Sequence, residues 1–196
     1  MNVARSELIL GGQKSGKTAR AEALAALWLA RSPGHRALYI ATAQAGDPEM
    51  RQRIVRHRRD RAARVPRMDT VEEPREIAQA IGRHSRADTL IVVDCLTLWL
   101  TGQLMPLGPV PKEFEEKMPV DQSQRAQAAI ISGAISNSAG PLVLISNEIG
   151  LGVIPLGREV RAFVDALGAL NQQVAAACER VTLMSAGLPL ILKGTS

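Results

Sequence analysis

With 196 residues, 46% of them hydrophobic and 22% charged, the chain has the composition of a folded globular protein and not of a disordered one. Its net charge of +5 suits a phosphate-bearing partner, from nucleotide to nucleic acid, and 8 of the 24 basic residues lie between Arg51 and Arg67. Only Cys95 and Cys178 occur, far apart and outside any Cys/His cluster, which argues against a disulfide framework or a zinc site.

The opening "MNVARSELIL" runs straight into a strand and does not have the pattern of a secretory signal. No apolar stretch approaches the ~20 residues that a membrane span needs. One domain over residues 1–196 in a cytoplasmic protein is therefore expected.

In chain order, apolar runs of strand length fall at 7–10, 37–42, 90–94, 141–146, 180–185 and 188–193. They are continuous and not alternating, the pattern of strands buried on both faces. Helical segments are expected between them, at Lys17 to Ala30, Pro48 to about Ala63, Pro74 to His84, Asp121 to Asn137 and Arg158 to Cys178. Asp47-Pro48-Glu49 supplies a cap, a proline at the first helical position and an acid at the positive end of the dipole. Alternating strands and helices predict a mostly parallel α/β sheet. The final two runs, separated only by "AG", predict a closing antiparallel hairpin. The stretch 101–122, with four prolines and mixed charge, reads as a long irregular excursion, either a lid or plain surface packing.

The first strand runs into Gly11, Gly12, Gln13, Lys14, Ser15, Gly16, Lys17 and Thr18, which is a P-loop with a strand before it and a helix after it. Backbone N–H groups of such a loop converge on phosphate, and glycine lets them approach because no Cβ intervenes. Lys17 is placed for the β and γ oxygens and Thr18 for Mg²⁺. A carboxylate ending a neighbouring buried strand should complete the metal site, and "LIVVD" supplies Asp94.

On a helix from Pro48, the residues Arg53, His57 and Arg61 share one face. Only Glu49 and Asp60 lie nearby in sequence to relieve the repulsion, so a bound anion is one way to neutralise the arginines. Neighbouring positive charge would keep the imidazole neutral and able to attack phosphorus. A solvated basic face and a nucleic-acid patch are the other readings. No aromatic residue interleaves with the arginines to stack bases, and no nucleic-acid-binding signature is present.

Taken in order, "LILGGQKSGKT", "LYIATAQAGDPEMRQRIVRHRRDR", "TVEEP", "VVDCLTLWLTG", the stretch "LVLISNEIGLGVIPLGREVRAFVDALGALNQQVAAACERV" and "GLPLILK" resemble the bifunctional adenosylcobinamide kinase/adenosylcobinamide-phosphate guanylyltransferases of cobalamin biosynthesis. The resemblance spans nearly the whole chain. It implies a RecA-like P-loop fold, usually a homotrimer with active sites between subunits, and two reactions. A nucleoside triphosphate, ATP or GTP, phosphorylates the aminopropanol hydroxyl of adenosylcobinamide. GMP from GTP is then transferred to that phosphate by way of a guanylylated histidine, which "RIxxHRxxR" places at His57.

By the same resemblance, nucleotide contacts fall at Thr42, Ala43, Gln44, Asp60, Arg61 and Glu72, beside the P-loop and Asp94. "NEIGLG" adds Asn147 and Glu148, which also fit a tight turn with local bonds. Arg161, Asp165, Asn171 and Gln172 would serve substrate or subunit interface. The chain departs from its relatives in "AARVPRMD", where they have a shorter link with a tryptophan, and in Phe163-Val164-Asp165, where they often have Phe-Arg-Asp. A P-loop ATPase that grips nucleic acid and a monofunctional small-molecule kinase are the competing readings.

Overall fold

The computed structural model describes residues 2–46, 48–105 and 120–195, without the side chains of Arg53 and residues 120–125. Asp47, expected as a helix cap, and most of the 101–122 excursion lie outside the described residues.

Seven strands form one sheet in the order β3-β2-β4-β5-β1-β6-β7. They are β1 (Ser6–Gly11), β2 (Arg36–Ala41), β3 (Met68–Glu72), β4 (Thr89–Asp94), β5 (Leu142–Ile145), β6 (Arg180–Ser185) and β7 (Leu188–Lys193). All neighbouring pairs are parallel except β6 and β7. This is the α/β, RecA-like P-loop architecture with its C-terminal hairpin: β5 is inserted between the phosphate-loop strand β1 and the aspartate strand β4.

The helices are α1 (Lys17–Ala30), α2 (Pro48–Arg64), α3 (Ile77–His84), α4 (Leu96–Leu104), α5 (Val120–Ser136) and α6 (Arg158–Ala177). One apolar layer packs α3 to α6 on the sheet through Ile77, Ile81, Trp99, Ile131 and Leu167. The other packs α1 through Ala21, Leu24, Ala25 and Leu29, with Val65 and Met68 at the edge. Both faces of the central strands are thus covered, which is why they read as unbroken apolar runs, whereas β7, expected from its apolar run to be buried as well, is an exposed edge strand.

Two elements escaped the sequence reading. Strand β3 is an edge strand in which only Met68 is buried, so it has neither a continuous nor an alternating apolar pattern. Helix α4 begins directly after Asp94 and carries Gly102, yet Leu96, Trp99 and Leu100 bury into the core and override that weak propensity. Residues 101–104, expected to open the irregular excursion, are therefore helical. Helix α3 starts three residues later than expected because Glu73 takes the backbone N–H groups of Arg75 and Glu76 at 3.1 and 2.9 Å, turning the chain into the helix. Those two bonds, the Glu76 one first, hold the Glu73 carboxyl below its ordinary pKa.

A buried charge cluster ties α1 to the sheet. Glu7, on β1, is 1% exposed and accepts from Arg20 of α1 at 2.8 Å, from Arg180 of β6 at 3.3 Å and from the Thr182 hydroxyl at 2.8 Å. A carboxylate so deeply buried survives because donors surround it. Glu7→Ala should therefore lower unfolding free energy by about 3–5 kcal/mol, and Glu7→Gln by less, in guanidinium chloride titrations.

Candidate functional site

Because β1 to β6 run parallel, their C-terminal ends share one edge, and Gly11, Ala41, Glu72 and Asp94 all lie there. The loop after β1 needs glycine for two separate reasons. A Cβ on Gly11 (φ 151°) would lie 2.5 Å from both the Met184 carbonyl and Ser15 Oγ. Gly16 takes φ 103° at the start of α1, and a Cβ there would meet Cα of Gly187 at 3.2 Å. The hairpin turn thus supports the loop from below, and the Gly187 N–H donates to the Ser15 carbonyl at 3.0 Å. That two-residue turn, with Ala186 at φ 51° and Gly187 at φ 80°, has the primed geometry that closes hairpins.

Lys17 is buried at the base of the loop, its Nζ donating to the carbonyls of Gly11 and Gly12 at 2.9 and 2.7 Å. Ser15 Oγ is buried without a hydrogen-bond partner, while Gln13 and Lys14 are exposed. An orphaned hydroxyl, a buried ammonium and a glycine where any side chain would clash fit a phosphate group in the loop.

Next to the loop, Asp94 Oδ2 accepts from Thr18 Oγ1 at 2.9 Å and from the Tyr39 hydroxyl at 2.6 Å. Thr18 donates its proton and keeps its oxygen lone pairs, so the pair offers the hard oxygen donors that suit Mg²⁺. Among the described residues no cluster of three or more His, Cys, Asp and Glu side chains could hold a metal, so water and phosphate oxygens would complete any coordination here. Burial, then the charge and hydrogen bond of Asp94, push the Tyr39 phenol well above its ordinary 10.0, so it acts as a donor.

Helix α2 carries His57 half-buried, one turn before Arg61 and on the same face, about 6 Å along the axis. Arg61 is 4% exposed; its guanidinium lies 3.7 Å from the centre of the Tyr39 ring and donates to Thr70 Oγ1 at 3.1 Å. A chain of contacts thus runs from α2 through Arg61, Tyr39 and Asp94 to Thr18 of the P-loop.

The premise that acids are scarce around these arginines is corrected by the fold. Glu72 at the end of β3 pairs with Arg58, and Glu22 of α1 lies 3.2 Å from Arg64, within ion-pair range though without hydrogen-bond geometry. Arg67 donates to the carbonyls of Pro33 and His35. Local sequence could not reveal partners brought in by other elements.

The remaining nucleotide positions are placed unevenly. Thr42 is 1% exposed and spends its hydroxyl on the Cys95 carbonyl and N–H, at 2.8 and 2.7 Å, fixing the corner after β4. Ala43 and Gln44 are half-buried, with Gln44 against Gly102. Asp60 and Glu72 are exposed. In the loop after β5, the Glu148 N–H donates to the Gly11 carbonyl at 3.1 Å and its carboxylate accepts from the Gly150 N–H at 3.0 Å, a local turn bond. Arg161, Asp165 and Gln172 line a cavity of about 450 Å³ between that loop and α6, whereas Asn171 is buried and donates to the Asn147 carbonyl at 3.0 Å.

Tyr39 falls inside the apolar run 37–42 and is not among the site residues expected from sequence; its one signal is being the chain's lone tyrosine, two residues from a strand end at the phosphate edge. Glu22 was likewise missed.

The decisive comparison is with protein families: the model described as cobinamide kinase / cobinamide phosphate guanyltransferase matches residues 7–192. The chain belongs to this family. It is 43% identical over 188 residues to the bifunctional adenosylcobalamin biosynthesis protein CobP of Pseudomonas aeruginosa, covering 96% of this chain and 97% of that protein. Identity to the bifunctional adenosylcobalamin biosynthesis protein CobU of Escherichia coli K12 is 32%, covering 95% and 98%. A solved structure from Pyrococcus horikoshii OT3 superposes with a TM-score of 0.55 at 10% identity over 100% of this chain and 89% of that one, a likeness of fold alone. The chain is accordingly an enzyme of cobalamin biosynthesis, a kinase and guanylyltransferase family member on a P-loop scaffold.

Glu22, buried on α1 against Arg64 of α2, supplies a pH test of this packing. Burial raises its pKa above the ordinary 4.5, against the opposing pull of Arg64 and Arg61. The folded state therefore holds this proton more tightly than the unfolded chain, so Glu22's contribution is greatest below 4.5 and declines as pH rises through the folded-state value. Urea midpoints of wild type and Glu22→Gln, compared from acid to neutral pH, should shift in favour of Gln as the pH is raised.

Proposed function

We propose that this chain carries out both family reactions at the edge formed by the P-loop, Asp94 and α2, with His57 as the covalent nucleotide carrier. The single observation behind the reading is the contact chain Arg61–Tyr39–Asp94–Thr18, which ties the histidine helix to the phosphate loop.

In the first reaction a nucleoside triphosphate, ATP or GTP, lies with its phosphates in the loop from Gly11 to Thr18. The aminopropanol hydroxyl of adenosylcobinamide attacks the γ-phosphorus, the bond to the β-phosphate oxygen breaks, and the hydroxyl proton passes to solvent. Lys17 swings from the loop carbonyls to the phosphate oxygens whose charge rises. Thr18 and Asp94 would hold Mg²⁺, which supplies charge neutralisation on the phosphates.

In the second reaction the imidazole of His57 attacks the α-phosphorus of GTP. A P–N bond forms, the α–β bridging bond breaks, and pyrophosphate leaves. A phosphate oxygen of adenosylcobinamide phosphate then attacks the same phosphorus, the P–N bond breaks, and adenosylcobinamide-GDP forms with His57 restored. Arg61, Asp60, Glu72, Thr42, Ala43 and Gln44 belong to the nucleotide's surroundings in this reading.

Incubation with GTP labelled at the α-phosphate should leave acid-labile, alkali-stable label on wild type. His57→Ala should abolish that label and guanylyl transfer while retaining kinase activity, because phosphoryl transfer to a hydroxyl needs no protein nucleophile. Lys17→Ala should impair both reactions by about 10²-fold or more. Equal loss of both activities in folded His57→Ala protein is the result that would sink the division of labour.

We further propose that the protein works as a homotrimer in the cytoplasm, without nucleic acid. Leu151, Val153, Ile154 and Leu156 stand 77–98% exposed in one loop, a surface that favours burial against another chain. Both cysteines are free and buried, their thiols pushed up to about 12 chiefly by that burial, as a reducing compartment allows. Among the described residues no helix is long and apolar enough to cross a membrane. Light scattering should give the mass of three chains for wild type and a smaller particle for Val153→Ser/Leu156→Ser.

A further inference from the structure

We propose that Tyr39 is a positioning residue with two separable duties: its hydroxyl aligns the Asp94 carboxylate for the nucleotide's cation, and its ring seats Arg61 so that His57 is presented to the nucleotide. The proposal rests on the function argued above and adds a residue that neither the motifs nor the comparisons single out.

The geometry separates the two duties within one side chain. At the rim, the hydroxyl is 2.6 Å from Asp94 Oδ2, the oxygen that also accepts from Thr18 at 2.9 Å. Two donors on one oxygen fix the rotation of the carboxylate and leave Oδ1 to face elsewhere. At the ring face, the Arg61 guanidinium sits 3.7 Å from the centroid, where the negative face of the π system attracts a cation. The ring is 5% exposed and held in the layer that packs α1 on the sheet, so it cannot swing away from either partner. Arg61 in turn is anchored to Thr70 of β3, which pairs with Tyr39 itself in the β2–β3 register. Helix α2 is therefore clamped at Arg61, and His57 lies one turn further up the same face.

The chemistry explains why a tyrosine suits this position. A cation bound at Thr18 and Asp94 requires Asp94 to be ionised and in one rotamer. A neutral O–H donor fixes the rotamer without adding a charge that would compete with the cation. An aliphatic residue would fill the space but offer neither the donor nor the cation-binding face.

Tyr39→Phe keeps the ring and removes only the hydroxyl; Tyr39→Leu removes both. Binding of a fluorescent GTP analogue, read as a function of Mg²⁺ with no turnover required, should need roughly tenfold more Mg²⁺ in both variants than in wild type. Saturating Mg²⁺ should restore kinase kcat in both, provided their melting curves remain cooperative. The α-phosphate label on His57 should recover in Tyr39→Phe at high Mg²⁺ but stay at least tenfold slow in Tyr39→Leu. Wild-type Mg²⁺ dependence in Tyr39→Phe overturns the first duty, and equal label recovery in the two variants overturns the second. Should wild type take up no label at all, the covalent mechanism fails, while the Mg²⁺ comparison still decides the role of the hydroxyl.

Discussion

A single carboxylate oxygen organises this site. Asp94 Oδ2 receives the Thr18 hydroxyl from the first turn of α1 and the Tyr39 hydroxyl from the strand beside it, so three elements of the fold meet on one atom. Both donors are neutral hydroxyls, so neither brings a charge that would compete with a ligand's cation for this carboxylate. The stiffness of the arrangement comes from the sheet beneath it. Tyr39 and Asp94 project from adjacent parallel strands in fixed register, with Ala41 opposite Asp94. Thr42 then locks the turn after Asp94 with three hydrogen bonds to Asp94 and Cys95.

Charge is handled in two ways in this molecule, according to depth. Below the sheet edge, Glu7 is enclosed by Arg20, Arg180 and Thr182, which joins α1, β1 and β6, and Arg180 reaches on to Asn2. Along α2 the pairs are looser: Arg58 with Glu72 and Arg64 with Glu22 both leave the arginine about half exposed. Such pairs contribute little to stability, which leaves the helix's arginines available to rearrange around an anion. The buried exception, Arg61, is held by an aromatic face and a hydroxyl, with the Glu22 carboxyl near enough to feel its charge.

The fold was legible in the sequence wherever burial was two-sided. Strands such as 90–94 and 141–146 announced themselves as unbroken apolar runs, and the P-loop spelled out its own context of strand and helix. Strand β3 was not legible, because an edge strand with one buried residue has no periodicity to find. The P-loop and Asp94 could be named because their spacing is set by local backbone geometry. The partners of the arginines could not, since Glu22 arrives from α1 and Glu72 from β3, outside the helix's own spacing. Tyr39 lies in an apolar run and is core; that its hydroxyl also meets Asp94 follows only from which strand lies next to it, a property of topology and not of any short motif.

The hairpin turn at Ala186–Gly187 lies directly beneath the phosphate loop and holds the Ser15 carbonyl. Almost the whole chain separates these two pieces. A nascent polypeptide emerging from the ribosome can therefore form strand, loop and first helix early, yet its nucleotide cradle stays unsupported until the β6–β7 turn has emerged and docked. The brace of the phosphate loop is thus among the last pieces of the chain to be made.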